Sequence, residues 1–184
     1  HVPPGATVTT AINQTRLAGS VTVGAAAGQQ TLEPNVHAAL GDVAWVHHDG
    51  VAYVFPEPAA VHVSNEVRTG RWSDINSVYS DQLIAQPLFT LWIDHSGSGA
   101  KDYAYIVAPG IGRDEVAAYA ETHGVGVVEN SSRVQAVWHD GLRQLQAVFW
   151  QAGSVATPGG WSVSVDAPVL LLVKETADGF EVTA

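Results

Sequence analysis

Arg68, Arg71, Trp72 and Asn76 stand within one short run, Val67-Arg-Thr-Gly-Arg-Trp-Ser-Asp-Ile-Asn76. An arginine offers a planar fork that grips a carboxylate through two parallel hydrogen bonds. An indole offers a broad apolar face and one N–H, and a carboxamide both donates and accepts. That set suits an acidic, hydroxylated ligand, and it suits an interdomain ion pair equally well. The two arginines belong to only eight Lys plus Arg, against eighteen Asp plus Glu and a net charge of −10. Nucleic acid does not fit such a chain, because phosphate binding needs a cationic face. A polyanionic ligand would need this local basic patch, or a second domain that supplies one.

The other reactive side chains form no motif. His47 and His48 are adjacent, so on a strand they point to opposite faces and cannot share one ion. His62, His95, His123 and His139 are isolated, and no His-x-His or His-Glu-x-x-His spacing occurs. No metal or cofactor is expected. His48 or His95 could be a lone substrate contact, with a satisfied or exposed structural histidine the better reading of each. There is no Cys, so disulfides, thiolate metal sites and a Cys nucleophile are excluded. No Gly-x-Ser-x-Gly elbow is present. Gly110-Ile-Gly112 precedes a helix but lacks the rest of a phosphate loop. Asp74, Asp81, Asp94 and Asp102 fall in or near loops, and nothing in the sequence pairs two of them for glycoside hydrolysis.

The elements that must position these groups are mostly strands. Val43–His48 and Val51–Phe55 alternate around Asp49-Gly50, a preferred pair for a type I′ turn. Pro56 and Pro58 are expected to end that pair. Further strands are expected over 7–16, 19–23, 60–68, 88–95, 103–107, 125–128, 134–138, 142–150, 161–165, 169–174 and 180–182. Residues 24–35 read as a loop. Asp140-Gly141 and Asp178-Gly179 are expected as further hairpin turns. One helix, Asp114–His123, carries Val116, Tyr119 and Ala120 on one face, with Gly124 as its C′ glycine. Trp45, Trp92, Trp138 and Trp150 are expected in the core, with Tyr53, Phe55 and Phe149; Trp72, just past a strand, is either a functional surface residue or a plug at one end of the sandwich. This is a mainly antiparallel β chain with one short α-helix, hence a sandwich. The longest apolar run, Ala167–Val173, is too short to span a bilayer, so no membrane partner is expected.

Four pieces, in order, carry a resemblance. They are Thr9-Thr10-x-x-Asn13-x-x-Arg16; Trp45-x-x-His48-Asp-Gly50-x-x-Tyr53-x-Phe55-Pro56; Gly70-Arg71-Trp72-x-x-Ile75-Asn76; and Asp94-His95-Ser-Gly97 with Tyr103-x-Tyr105-x-x-x-Pro109-Gly110. Together they resemble the central β-domain of polysaccharide lyase family 8, the hyaluronate, chondroitin AC and xanthan lyases. The resemblance implies a supersandwich-like fold, with 1–160 as part of the central β-sandwich domain. Residues 161–184 would be final strands or the start of a C-terminal β-domain. It implies β-elimination on an acidic polysaccharide, hyaluronan or chondroitin foremost. There a side chain neutralises the uronate carboxylate, a base takes the C5 proton, and an acid protonates the leaving oxygen.

In that family those roles lie mainly on an N-terminal α/α-toroid, so no catalytic residue is expected in this chain. Its part would be to scaffold the toroid and line the cleft. Arg68, Arg71, Trp72, Asn76 and His48 would be substrate-binding or domain-interface residues. The chain opens at His1 and lacks Met, so it reads as a piece of a longer protein. A companion chain or the toroid is the expected partner, and a secreted, extracellular bacterial setting is implied. The alternative is a free-standing, non-catalytic carbohydrate-binding module, which would show a row of exposed aromatics. A small hydrolase lacks a motif.

Overall fold

The structure, a computed structural model, describes residues 6–96 and 102–184. Gly97, part of the fourth piece of the family resemblance, lies outside the described residues. The chain divides into two units, His1–Glu121 and Thr122–Ala184.

The first unit holds β1 (Thr9–Arg16), β2 (Val21–Ala25), β3 (Gly28–Thr31), β4 (His37–His48), β5 (Val51–Ser64), β6 (Val67–Gly70), β7 (Ile84–Asp94) and β8 (Ile106–Pro109). They form one antiparallel sheet in the order β1-β7-β5-β4-β2-β3, with β6 beside β7 and β8 beside β5. Residues 24–35 are therefore not all loop, because β3 turns back on β2. Asp49 and Gly50 have φ of 48° and 71°, and His48 pairs with Val51, so the expected two-residue turn is present.

Pro56 and Pro58 do not end β5. They fall where its register against β4 slips, between the pairs Trp45–Val54 and Val43–Ala59. No ladder pair is required of proline in such an irregularity, and the strand runs on. The same stretch is where β5 changes its other neighbour. Val51–Val54 pair with β8, and His62–Ser64 pair with β7.

One face of this sheet carries Val21, Val23, Val46, Tyr53, Val61, Val63, Phe89 and Leu91 in a single buried cluster. Tyr53 also accepts a hydrogen bond from Asn13 Nδ2, which ties β1 to β5. The opposite face buries Trp45, Ala52, Val54 and Ala108 under Val116, at the start of helix α1 (Val116–Thr122). That helix begins two residues later than the pattern suggests. Gly124, at φ 66°, follows it as expected. On β2, Gly24 lies opposite Trp45, and a Cβ there would come within 2.1 Å of the indole Cε2.

The second unit holds β9 (Val125–Asn130), β10 (Val134–His139), β11 (Gln144–Phe149), β12 (Gly153–Ala156), β13 (Ser162–Val165), β14 (Val169–Thr176) and β15 (Gly179–Thr183). Five of them make a sheet, β15-β14-β11-β10-β9, and β12-β13 is a separate ribbon. Val134, Trp138, Leu145, Phe149, Val155 and Val173 form the core. β11 pairs with β14, with the β12–β13 ribbon between them in sequence, and Leu145 faces Val173. Residues on both sides of position 160 thus share one sheet, and the division into units lies upstream of the boundary expected there.

Two turns differ from expectation. Between β10 and β11 the loop is Asp140–Arg143, closed by the Arg143 N–H on the Asp140 carbonyl at 3.0 Å. The positive φ falls on Arg143, at 51°, and not on Gly141. The last turn is Ala177-Asp178, since Thr176 pairs with Gly179. Trp150 also departs from expectation, being 59% exposed. It directly follows the buried Phe149, and neighbours on an extended chain point to opposite sides.

Candidate functional site

β6 and β7 pair from Val67–Pro87 to Gly70–Ile84, and the chain between them forms an exposed projection. Its start is a 3₁₀ turn, Trp72–Asp74, entered from Arg71 in extended conformation. The Asp74 carboxylate accepts the Arg71 N–H at 3.3 Å, the Asn76 N–H donates to the Trp72 carbonyl at 3.0 Å, and Asn76 Oδ1 accepts the Val78 N–H at 3.1 Å. The Tyr79 N–H closes on the Asn76 carbonyl at 3.1 Å. Short polar side chains here take up backbone donors that no sheet partner satisfies.

This knitting leaves the large side chains outward. Trp72 and Tyr79 are exposed, their ring centroids 6.4 Å apart at 58°. Ile75 and Val78 are 77% and 81% exposed, and Leu83 is exposed beside them. Five large apolar side chains are thus exposed within residues 72–83.

Four of the five sequence-predicted residues belong to this strand and projection. Arg68 sits on β6, 3.3 Å from Glu66, whose carboxylate also accepts the Ser64 hydroxyl at 2.8 Å. Among the described residues the Arg71 guanidinium has no ion-pair partner. Asn76 spends its side-chain oxygen on the loop itself.

His48 does not join them. It is 1% exposed, its ring stacks on Phe89, and its Nε2 accepts the Ala18 N–H at 3.0 Å. Burial pushes its pKa below the usual histidine range, against the pull of Asp49. A neutral ring in the core is a packing and acceptor group, not a contact for a ligand.

His47 points the other way, as adjacency requires, and donates Nε2–H to the Ile111 carbonyl at 3.0 Å. His95 is 2.8 Å from the Thr10 hydroxyl, with its ring 5.2 Å from Tyr103. Asp74 and Asp94 are both engaged locally; Asp94 is held below the usual carboxylate range by its hydrogen bonds from Ser96. Among the described residues no group of three or more His, Cys, Asp or Glu is arranged to hold a metal. Among the same residues no helix is long and apolar enough to cross a membrane. Ile75, Val78 and Leu83 were not foreseen as part of the surface. Their signal is the lack of alternation through 73–83, which leaves apolar side chains with no sheet face to bury against.

Residues 1–120 match the model of the polysaccharide lyase family 8 super-sandwich domain, and residues 126–184 that of the family's C-terminal beta-sandwich domain. The chain belongs to polysaccharide lyase family 8. Among the family's members, the chondroitinase-AC of Pedobacter heparinus is 34% identical over 169 residues, 91% of this chain and 24% of that protein. The hyaluronate lyase of Thermasporomyces composti is 33% identical over 138 residues, 73% of this chain and 17% of its own length. Of solved structures, a chondroitinase AC lyase from a study of enzyme–oligosaccharide complexes superposes with a TM-score of 0.79 at 33% identity, covering 90% of this chain and 24% of its own. Paenibacillus xanthan lyase gives a TM-score of 0.79 at 25% identity, over 92% of this chain and 17% of its own. The chain thus spans about a quarter, or less, of the length of these family 8 relatives. The two family 8 domain models part between 120 and 126, where the structure itself parts at Glu121.

Proposed function

We propose that this chain is the β-portion of a secreted bacterial family 8 lyase that cleaves a uronate-containing polysaccharide, hyaluronan or chondroitin, by β-elimination. In this reading it scaffolds the α/α-toroid, and the projection between β6 and β7 lines one wall of the cleft. The carrying observation is the exposed Arg71–Trp72–Tyr79 projection on a chain of net charge −10. The relatives, a chondroitinase, a xanthan lyase and a hyaluronate lyase, supply the substrate class.

The chemistry follows from the side chains. The Arg71 guanidinium, with no ion-pair partner among the described residues, takes the uronate carboxylate through its fork. Arg68 adds positive potential but shares it with Glu66. The Trp72 and Tyr79 faces take the apolar C–H faces of the sugar rings. These contacts place the chain and lower KM. Proton abstraction and leaving-group protonation belong to side chains of the toroid, and no residue here is assigned them.

Two measurements test this. Hyaluronan and chondroitin oligosaccharides are titrated into residues 1–184 and followed by amide NMR. Shifts should centre on 68–83, and Arg71→Ala or Trp72→Ala should weaken binding at least tenfold. Shifts elsewhere, or variants that bind like the parent, remove the cleft-wall role. The purified chain should also release no unsaturated uronate product. Robust turnover by this chain alone would overturn the division of labour.

A further inference from the structure

On the face of the sheet opposite Val61, Val63 and Leu91, the strands bring together three rings that are far apart in sequence. His62 on β5 lies directly opposite Trp92 on β7, and the β4–β5 register sets Ala39 opposite His62 and His37 opposite Ser64. His37 is therefore the diagonal neighbour of His62, within side-chain reach on the same face. Trp92 forms a common floor. Its ring is 5.1 Å from each imidazole, stacked on His62 at 17° and tilted to His37 at 48°.

With both rings held this way, His37 Nε2 and His62 Nδ1 face each other at 3.5 Å. At that separation one ring can donate its N–H to the other, and with that proton displaced the two lone pairs can converge on one metal ion. A tetrahedral ion with metal–nitrogen bonds of about 2.0–2.1 Å holds two nitrogens roughly 3.3–3.4 Å apart. The observed spacing meets that requirement with a few tenths of an ångström of ring movement.

A third group selects the tautomer. Asp94 Oδ2 is 4.0 Å from His62 Nε2, on the far side of the ring from His37. A carboxylate there favours the proton on Nε2 and leaves the Nδ1 lone pair free toward His37. At 4.0 Å the carboxylate is beyond hydrogen-bond distance and acts on the ring through its charge. The Asp94 carboxylate is itself fixed by the Ser96 N–H at 2.8 Å.

We propose that His37 and His62 form a two-histidine site for a borderline divalent cation, Zn²⁺ or Cu²⁺, with Asp94 positioning His62. Imidazole pairs select these ions over Ca²⁺ and Mg²⁺, which require oxygen ligands. The exposed side of the site leaves room for water in the remaining positions. Occupancy clamps β4 to β5 above Trp92, and so raises the stability of the first unit by mass action. The site stands independently of the lyase reading.

The test is calorimetric titration of ZnCl₂ into residues 1–184, with the variants His37→Ala, His62→Ala, Asp94→Asn and His95→Ala. Circular dichroism checks that each variant is folded. The parent should take up zinc at a site that weakens at least tenfold in either alanine variant. Asp94→Asn should weaken it roughly two- to fivefold, because it removes a nearby negative charge and no hydrogen bond. His95→Ala should bind like the parent, and excess CaCl₂ should not compete. Long-range ¹H–¹⁵N NMR of the zinc-free chain should show His62 protonated on Nε2, with Nδ1 shifting on zinc addition. No uptake at millimolar zinc, uptake unchanged in both His37→Ala and His62→Ala, or a His62 ring protonated on Nδ1 would each overturn the proposal.

Discussion

The ring of His48 lies on that of Phe89, centroids 4.4 Å apart and planes at 25°, although β4 and β7 are not neighbours in the sheet. Strand β5 stands between them, and adjacent strands in a sheet are spaced by about 4.7–4.9 Å. The contact exists because β5 leaves β8 for β7 along its length, so that the sheet curls over its own core. His48 closes that curl and holds the Ala18 N–H at 3.0 Å.

Protonating His48 would turn its acceptor Nε2 into a donor aimed at another donor. Its pKa in the fold is already pushed below the ordinary 6.5 by burial. The unfolded chain therefore takes up this proton first as pH falls. Stability from His48 is fully present above pH 6.5 and is lost as the pH falls below 6.5 through the folded value. His123 is shifted in the same direction, by burial and then by His139. The denaturation midpoint should accordingly drop between about pH 7 and pH 5. His48→Gln should flatten part of that slope while His123→Gln flattens another part. Parallel slopes for parent and His48→Gln would show that the buried imidazole is not the sensor.

Much of the fold was legible because its signals are local. Asp49-Gly50 carries its own turn geometry, and alternation then assigns Tyr53 and Phe55 to the core. The family motif is informative for the same reason: Trp45, His48, Tyr53 and Phe55 are core residues, so the motif marks the sheet more than the site. What was not legible depends on partners distant in sequence. Pro56 and Pro58 look like strand ends until β5 is seen to bulge against β4 there. Asp140-Gly141 looks like a two-residue turn until Glu175 is seen to hold Arg143. The His37–His62–Trp92 cluster needs two cross-strand registers that no single segment encodes. Of the site, Arg71 and Trp72 were readable as residues out of pattern, whereas the apolar run beside them emerges only when no sheet face is left to cover it.

Gly50→Val should cost on the order of 1 kcal/mol or more in chemical denaturation. A Cβ at Gly50 meets nothing within 4 Å, so the cost is conformational and arises from its φ of 71°. Gly50→Asn, which tolerates that region, should lose much less. Equal losses for the two variants would place the cost in packing instead.

At Gly24 the opposite holds. Its φ is ordinary, but an added methyl would collide with the Trp45 indole, itself 5% exposed. Gly24→Ala should destabilise by about 1–3 kcal/mol, the usual cost of overpacking a filled core. Pairing it with Trp45→Phe should recover part of the loss. A double-mutant cycle with no coupling would mean that the two residues do not meet.

The exposed and buried tryptophans should separate cleanly. Trp72→Ala and Trp150→Ala, at surface positions, should each change stability by less than about 0.5 kcal/mol. Trp138→Ala should cost about 3–5 kcal/mol, because it empties the core of the second unit. The outcome matters for the proposed cleft wall: a Trp72→Ala variant that unfolds could not report on ligand contact, and one that stays folded can.

Arg143 allows a backbone effect to be divided from a side-chain effect at one position. Its guanidinium is 2.7 Å from Glu175 and lies over the Trp138 ring at 5.2 Å, and Glu175 also accepts the Trp161 indole N–H at 3.1 Å. These contacts hold a non-glycine residue at φ 51°. Arg143→Ala removes the ion pair and the cation–π contact but keeps a Cβ in the left-handed region. Arg143→Gly removes the same contacts and relieves the backbone. Both lose the partly exposed pair, worth up to about 1 kcal/mol, so the difference between them isolates the strain. Glycine should be the milder substitution by roughly 1 kcal/mol in urea denaturation. If alanine proves equal or better, the left-handed Arg143 carries no strain, and the four-residue loop is set by Asp140-Gly141 alone.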